Sequence, residues 1–306
     1  MKISEIIESS RQAFPSLEII PPLSGLSKKT LFEGIEPLME FSPKYINVTR
    51  HRDDFAFTKN EDGSFTKTLV RNRVSQVAVA GAVMSRFKVE VVPHIICAGS
   101  TREEIHSQLD DLKFLGIENV MALRGDCLAG EKRFTPTPGG FNYASDLVKG
   151  IREYRKEEGN HFCIGVGGYP EKHFEAPNLQ TDIMNLKKKV DEGADFVITQ
   201  MFFDNSKFFE FEDLCRKAGI SVPIIPGIKV LTTKKQLRFL PEAFSLDIPV
   251  ELTREIEKAK DEDVAQIGIE WCTAQCKELA AKGCKVIHFY TMGKSDNIIK
   301  VMKEIF

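Results

Sequence analysis

The sequence predicts a single (β/α)8 barrel of the TIM type, in which eight parallel strands alternate with helices. Eight short apolar segments alternate with amphipathic segments along the 306 residues, at intervals of about 30 to 40 residues with one longer gap before the last. The apolar runs suit strands that are covered on both faces, as in a parallel sheet flanked by helices. An open doubly wound sheet is the alternative that the pattern leaves.

Composition and charge restrict the classes of partner. The chain has 42 Lys and Arg residues against 44 Asp and Glu, a net charge of −2, so no overall field attracts nucleic acid or an anionic membrane. It has neither a signal peptide nor an apolar run of about 18 residues that could span a bilayer. Its seven cysteines include no Cys-x-x-Cys pair, which argues against a disulfide framework and a zinc site. We expect a cytoplasmic protein without a bound metal.

The predicted strands are short apolar runs bounded by residues that interrupt a strand. Pro21 and Pro22 end the first strand, because proline has no N–H group to contribute to a ladder. The fourth strand stops abruptly at the turn Arg124-Gly125-Asp126. The eight predicted strands cover residues 17–20, 45–49, 89–96, 120–123, 162–170, 195–200, 222–228 and 286–290.

The segments between the strands have the apolar spacing of amphipathic helices. Ser27 is a plausible N-cap of the first, and Thr101 starts another that has Glu103 and Glu104 in its first turn. The predicted helices cover residues 27–41, 71–86, 101–115, 143–158, 181–192, 205–218, 232–244, 250–279 and 294–304. Residues 50–63 are interpreted as a charged loop, either solvated or a lid, and residues 127–142 as a loop that covers the site.

Polar or aromatic residues recur at the carboxyl ends of the predicted strands. They are Glu18, Thr49, His94, Arg124 with Asp126, Tyr169, Gln200 and Tyr290. Because the carboxyl ends of parallel strands meet at one edge and carry the binding site, we expect these side chains to line a single site. On the helix after the fifth strand, Asp182, Asn185 and Lys189 share one face near that edge.

Glu18 is unusual because it lies inside an apolar strand. A buried carboxylate is costly unless it is paired, ligates something or keeps its proton. The strand alone leaves a structural salt bridge and a functional acid equally open. Burial, together with the like charge of Asp126, would raise the pKa of Glu18.

Ten motifs, in order along the whole chain, resemble the methylenetetrahydrofolate reductase family in its short bacterial form. They are Glu18-Ile19-Ile20-Pro21-Pro22, Asn47-Val48-Thr49, Pro93-His94-Ile95-Ile96-Cys97, Ala122-Leu123-Arg124-Gly125-Asp126, Tyr143-Ala144-Ser145-Asp146-Leu147, Tyr169-Pro170-Glu171-x-His173, Asn185-Leu186-Lys187, Ile198-Thr199-Gln200, Pro226-Gly227-Ile228 and His288-Phe289-Tyr290-Thr291. The resemblance implies one catalytic barrel over residues 1–306, without a regulatory domain.

The resemblance also implies an activity and its site. The expected reaction reduces 5,10-methylenetetrahydrofolate to 5-methyltetrahydrofolate for methionine synthesis, with NADH or NADPH as co-substrate, non-covalent FAD as hydride carrier and a homo-oligomeric enzyme. By motif, FAD would be held by Thr49, His94, Arg124, Gly125, Asp126, Tyr143, Ala144, Tyr169, His173, Ala176, Asp182, Asn185 and Lys189. The folate would contact Glu18, Asp126, Gln200, Gln236 and Lys294, with Glu18 as general acid and Asp126 beside the flavin.

The chain departs from the family pattern at three places, and two other functions remain as alternatives. Residues 50–54 replace a glycine-rich segment, Lys294 stands where the family often has arginine and so loses the planar fork, and Leu240 stands where some relatives have phenylalanine. A flavin-free aldolase or isomerase could hold a phosphorylated small molecule through Arg124 and Lys189. A non-catalytic binding protein is the third class, but it gives no reason for an acid at Glu18.

Overall fold

The computed structural model describes residues 1–127, 134–159, 161–291, 293 and 295–306, with all of their side chains except those of Asp54 and Leu69. Ten strands lie in this part of the chain: β1 (Phe14–Ile19), β2 (Tyr45–Val48), β3 (Asp54–Lys59), β4 (Phe65–Val70), β5 (Glu90–Ile96), β6 (Asn119–Leu123), β7 (Cys163–Gly168), β8 (Phe196–Met201), β9 (Ile224–Ile228) and β10 (Val286–Tyr290). All but β3 and β4 close into one parallel barrel in the order β1-β10-β9-β8-β7-β6-β5-β2. The predicted barrel is confirmed, and the open sheet is wrong.

Eleven α-helices lie in the described part of the chain, and most of them connect successive barrel strands. They are α1 (Ile3–Ser9), α2 (Lys28–Ile35), α3 (Gln76–Phe87), α4 (Arg102–Phe114), α5 (Ala144–Glu153), α6 (Leu179–Asp191), α7 (Asn205–Lys217), α8 (Gln236–Phe244), α9 (Val250–Lys258), α10 (Val264–Ala281) and α11 (Asp296–Met302). None of these helices is both long enough and apolar enough to cross a membrane.

Three predicted helices are interrupted in the structure. The predicted helix 143–158 ends as α5 at Glu153, and residues 156–158 form a separate 3-10 helix. The predicted helix 250–279 is two helices, because Ala259 adopts an extended conformation and ends α9. The break lets Leu252 and Ile256 pack in one apolar cluster while Cys272 and Cys276 of α10 pack in the main core. In the predicted helix 27–41, residues 36–41 form a 3-10 helix.

The interpretation of residues 50–63 as a loop is wrong for residues 54–59, which form β3. Strands β3 and β4 pair as an antiparallel hairpin, from Asp54 opposite Val70 to Lys59 opposite Phe65. Asp62 accepts a 2.9 Å hydrogen bond from the backbone N–H of Ser64 in the connecting turn. The charged residues of this segment masked its strand pattern, since each strand exposes most of its side chains to solvent.

Helix α1, which the sequence analysis did not predict, closes the amino-terminal end of the barrel. Its buried residues Ile3, Ile6 and Ile7 pack in the apolar cluster that fills this end. The backbone N–H of Ile3 donates a buried hydrogen bond of 2.9 Å to Oδ1 of Asn119 at the start of β6. A helix of only 7 residues is too short to show a clear apolar period.

The barrel interior changes from apolar to polar towards the carboxyl ends of the strands. The apolar end includes Phe14, Tyr45, Phe196, Ile225 and Val286. Further along β1, Ser16 pairs with His288, and Glu18 pairs with both Asn47 and Tyr290. Since residues paired in register point to the same face of a sheet, these side chains form a polar level inside the barrel.

Candidate active site

Glu18 points into the barrel near the carboxyl end of β1, and its side chain is 16% exposed. Burial raises the pKa of this carboxyl to about 8, and the positive charge of Lys229 opposes part of the rise. Nε2 of His94 lies 3.7 Å from Oε2 of Glu18. At neutral pH Glu18 therefore keeps its proton, which favours a functional acid over a structural salt bridge.

Two buried histidines, His94 on β5 and His288 on β10, belong to the same polar level. Burial lowers the pKa of each to about 3, so both rings are uncharged at neutral pH. Nδ1 of His288 shares a 2.9 Å hydrogen bond with the hydroxyl of Ser16. The contact between Glu18 and His94 is therefore a contact between neutral groups.

Lys229 is a site residue that the sequence analysis missed. It follows β9 directly and is only 7% exposed. Burial lowers the pKa of its ammonium group, and the charge of Glu18 raises it. The sequence contains a signal for it. Each of the other predicted strands has a polar or aromatic residue at its carboxyl end, and Lys229 is the polar residue that directly follows β9.

Gly125 separates Arg124 and Asp126 in the turn after β6. Any other residue at this position would be strained. Gly125 has φ +85°, and a Cβ placed on it would lie 2.8 Å from Cβ of Ala98. Nη1 of Arg124 lies 2.6 Å from Oε2 of Glu175, and the Arg124 side chain is 18% exposed. This guanidinium thus already holds one anionic group at the barrel mouth.

Asp126 is exposed at the same turn, and its effect on Glu18 differs from the expectation. Burial lowers the pKa of His51 and raises that of Tyr169, and the charge of Asp126 acts in the raising direction on both, so Asp126 lies near these two side chains. The pKa of Glu18 is raised by burial, and Asp126 is not among its causes. The acid therefore does not depend on a like charge from Asp126.

A second cation, Lys189 on α6, lies beside Arg124 at the ends of β6 and β7. Nζ of Lys189 donates a 2.8 Å hydrogen bond to the carbonyl oxygen of Gly167 and lies 5.8 Å from the centre of the Tyr169 ring. Burial lowers the pKa of Lys189 to about 8; Asp182 opposes this effect and the neighbouring charge of Arg124 adds to it. The charges of Lys189 and Arg124 repel each other, and an anion bound between them would offset this repulsion.

Among the other predicted cofactor positions, His173 lies near this pair, since the charges of Arg124 and Lys189 both act on it. The ring of His173 lies 4.8 Å from the ring of Tyr169, and its backbone N–H donates a 2.9 Å hydrogen bond to Asp182. Thr49, Ala144 and Ala176 are buried, whereas Tyr143 and Asn185 are exposed. Oγ1 of Thr49 lies 3.4 Å from Nε2 of His51.

The predicted folate positions have more varied surroundings. Oε1 of Gln236 accepts hydrogen bonds from the backbone N–H groups of Thr232 and Thr233, at 2.7 and 3.0 Å, so it holds the loop before α8. Gln200 is partly buried, and its Oε1 accepts from the backbone N–H of Met201 at 3.0 Å. Lys294 and residues 128–133 of the covering loop lie outside the described residues.

Two apolar residues after β8 and one on α8 belong to the core. Phe202 and Phe203 are fully buried in two apolar clusters. Leu240, the residue that stands in place of a phenylalanine, is also buried in one of these clusters.

Comparison with known proteins gives a family for nearly the whole chain. The model of the family described as methylenetetrahydrofolate reductase matches residues 2–305. The chain is 34% identical to methylenetetrahydrofolate reductase (NADH) 1 of Arabidopsis thaliana over 315 residues, which are 99% of this chain and 50% of that protein. It thus spans about half the length of the plant protein. It is 31% identical to 5,10-methylenetetrahydrofolate reductase of Escherichia coli, over 95% of this chain and 90% of that protein.

A solved structure supports the fold. A Clostridium thermocellum protein that binds two copies of 5-methyl-5,6,7,8-tetrahydrofolic acid aligns over 99% of this chain and 98% of its own, with a TM-score of 0.60 and 13% identity. Such a low identity supports the barrel alone. The family match and the Escherichia coli relative, in contrast, extend over almost all of both sequences, and the chain belongs to the methylenetetrahydrofolate reductase family.

Proposed function

We propose that this chain reduces 5,10-methylenetetrahydrofolate to 5-methyltetrahydrofolate with NADH or NADPH, that it binds FAD non-covalently, and that Glu18 is the general acid. The observation that carries the proposal is a carboxyl group that keeps its proton near neutral pH at the carboxyl end of the barrel. In a chain of this family, such a group can supply the proton that reduction of the folate requires.

The folate carries its one-carbon unit as a bridge between two nitrogen atoms, and the bridge must open before it can accept a hydride. Opening moves the electron pair of one C–N bond onto the departing nitrogen, which needs a proton, and leaves a cationic iminium at the other nitrogen. Glu18 would give that proton from a buried position. The carboxylate of Asp126 would then stabilise the iminium cation.

The residues at the ends of β6 and β7 fit FAD. Bound FAD would accept a hydride from the nicotinamide and pass it to the folate. Arg124 and Lys189 are neighbouring cations, and a diphosphate placed between them would relieve the repulsion that now helps to lower the pKa of Lys189. Because Glu175 already pairs with Arg124, a diphosphate would have to compete with this carboxylate.

A spectrum and an assay test the proposal against the flavin-free alternative. We expect the purified protein to be yellow, with the absorption bands of an oxidised flavin, and to oxidise NADH or NADPH with a quinone as electron acceptor. A colourless protein that cannot be reconstituted with FAD would contradict the proposal. It would favour a barrel enzyme that acts on a phosphorylated small molecule.

Replacing Lys189 or His94 by alanine should weaken FAD binding. Lys189 offers a buried charge to the diphosphate, and a hydrogen bond to a charged group is worth about 1.5 to 3 kcal/mol, so Lys189→Ala should raise the Kd for FAD roughly 10- to 150-fold. Flavin fluorescence during equilibrium dialysis measures this constant. Lys188→Ala, which removes an exposed charge from the same helix, is the matched control. If both variants retain FAD like the parent but lose folate reduction, these residues serve the substrate instead.

A further inference from the structure

We propose that Lys229 is a charged member of the acid site, whose ammonium group stabilises the carboxylate that Glu18 becomes when it gives up its proton. This inference rests on the proposed function of Glu18. It gives a role to a buried residue that the motifs of the sequence do not include.

The register of the barrel places Lys229 on the side of Glu18. His288 pairs with Gly227, and Phe289 pairs with Ile228. Lys229 follows Ile228 directly, so the alternation of the strand gives it the same face as Gly227, next to the end of β10 where Tyr290 lies. Tyr290 in turn pairs with Glu18 on β1. Lys229 therefore belongs to the same polar level of the barrel, and only β10 lies between β9, which it follows, and the strand of the acid.

No other contact in the described part of the chain accounts for the buried charge of Lys229. The residue is only 7% exposed, and no hydrogen bond or ion pair joins its side chain to any residue that the structure describes. An ammonium group that is buried without a partner is costly. Glu18 is the acid that raises its pKa, and Lys229 is the cation that lowers the pKa of Glu18.

The other groups that face Glu18 carry no charge at neutral pH. His94 on β5 and His288 on β10 are neutral because burial lowers their pKa values to about 3. The pKa of Tyr290 is raised well above its ordinary value, chiefly by burial, so its hydroxyl keeps its proton. Asn47, opposite on β2, has no charge. Among the described residues, the pKa of Glu18 is therefore set by burial, which raises it, and by the charge of Lys229, which lowers it.

The proton transfer itself explains why a cation is useful there. As the C–N bond of the folate breaks, its electron pair goes to the departing nitrogen, the proton of Glu18 goes to the same nitrogen, and a carboxylate remains in a poorly solvated site. Lys229 keeps its own proton throughout. Its positive charge stabilises the negative charge that develops on Glu18 during the step. Such an interaction lowers the activation barrier.

The loss of Lys229 should change the pKa of Glu18 in a direction that these two effects determine. Burial favours the protonated form of Glu18, and Lys229 favours the ionised form, so removing the ammonium should raise the pKa of Glu18 further. A general acid works best when its pKa is close to the working pH. Without Lys229 the acid should hold its proton too tightly.

The test compares Lys229→Met, which removes the charge, with Lys229→Arg, which keeps it. The titration of Glu18 is followed in the FAD-loaded enzyme without folate by infrared spectroscopy, using the protonated carboxyl band that disappears in Glu18→Gln. We expect Lys229→Met to raise the titration midpoint by about 1 to 3 pH units and to slow the folate half-reaction about tenfold or more, and we expect Lys229→Arg to restore both. Lys217→Met, which removes an exposed charge, should change neither.

A midpoint that stays unchanged or falls in Lys229→Met would overturn the inference. If that variant does not fold, Lys229→Gln provides the same neutral comparison. The infrared titration needs no turnover, so it also separates the two proposals. Should Glu18→Gln keep the folate half-reaction, the proposed acid is wrong, whereas the spectrum still shows whether Lys229 acts on Glu18.

Discussion

Glu18→Gln should slow the folate half-reaction by about 10²- to 10⁴-fold, the range that a general acid usually contributes. Glutamine keeps the size of the side chain but has no acidic proton to give to the departing nitrogen. The nicotinamide half-reaction needs no such proton, because the hydride goes directly to the oxidised flavin. Stopped-flow measurement of each half-reaction, with FAD saturated in both proteins, gives the two rates separately.

The comparison of half-reactions is also the control for this variant. Flavin reduction by NADH or NADPH should change at most modestly in Glu18→Gln. The opposite pattern, with flavin reduction lost while pre-reduced enzyme still converts methylenetetrahydrofolate, would show that this glutamate is not the acid.

Asp126→Asn should raise the midpoint potential of the flavin and slow the folate half-reaction more than the nicotinamide half-reaction. A negative charge beside the flavin makes the addition of electrons harder, so its removal makes reduction easier. The same carboxylate would stabilise the cationic iminium of the folate, and the loss of one such electrostatic partner typically costs about 10²- to 10³-fold. Reductive titration against a reference dye measures the potential.

Asp111→Asn is the matched control for this measurement, since it removes an exposed carboxylate from α4. It should leave the potential unchanged. If Asp126→Asn also leaves the potential unchanged while FAD remains fully bound, Asp126 does not lie beside the flavin as proposed.

The barrel could be predicted because each of its strands is a buried apolar run that ends in a polar residue. The elements that the sequence did not reveal lack this contrast. The hairpin of β3 and β4 follows a charged segment and exposes Phe57 and Phe65, so no buried face marks it as a strand pair. Helix α1 has only 7 residues, and Ala259 carries no sequence signal that α9 must end there.

The polar residues of the site could be located by the same reasoning, but their partners could not. Glu18, His94 and Arg124 were found from their positions at strand ends. The pairing of Arg124 with Glu175 depends on contacts between segments that are distant in sequence. Gln236 matches a folate-contacting position of the family, yet its side-chain oxygen already holds the loop before α8. Lys229 lies just outside the family motif Pro226-Gly227-Ile228, so the resemblance does not single it out.

The central claim is that Glu18 donates the proton that allows this chain to reduce methylenetetrahydrofolate. Its most direct test is the single-turnover formation of 5-methyltetrahydrofolate by pre-reduced, FAD-loaded enzyme, measured anaerobically by mass spectrometry across a pH series. Only protonated Glu18 can donate, so the parent rate should be constant below a pH of about 8 and then fall about tenfold per pH unit. Glu18→Gln should be slow at every pH. Absence of the methyl product with the parent enzyme, or the same pH dependence in Glu18→Gln, would contradict the claim.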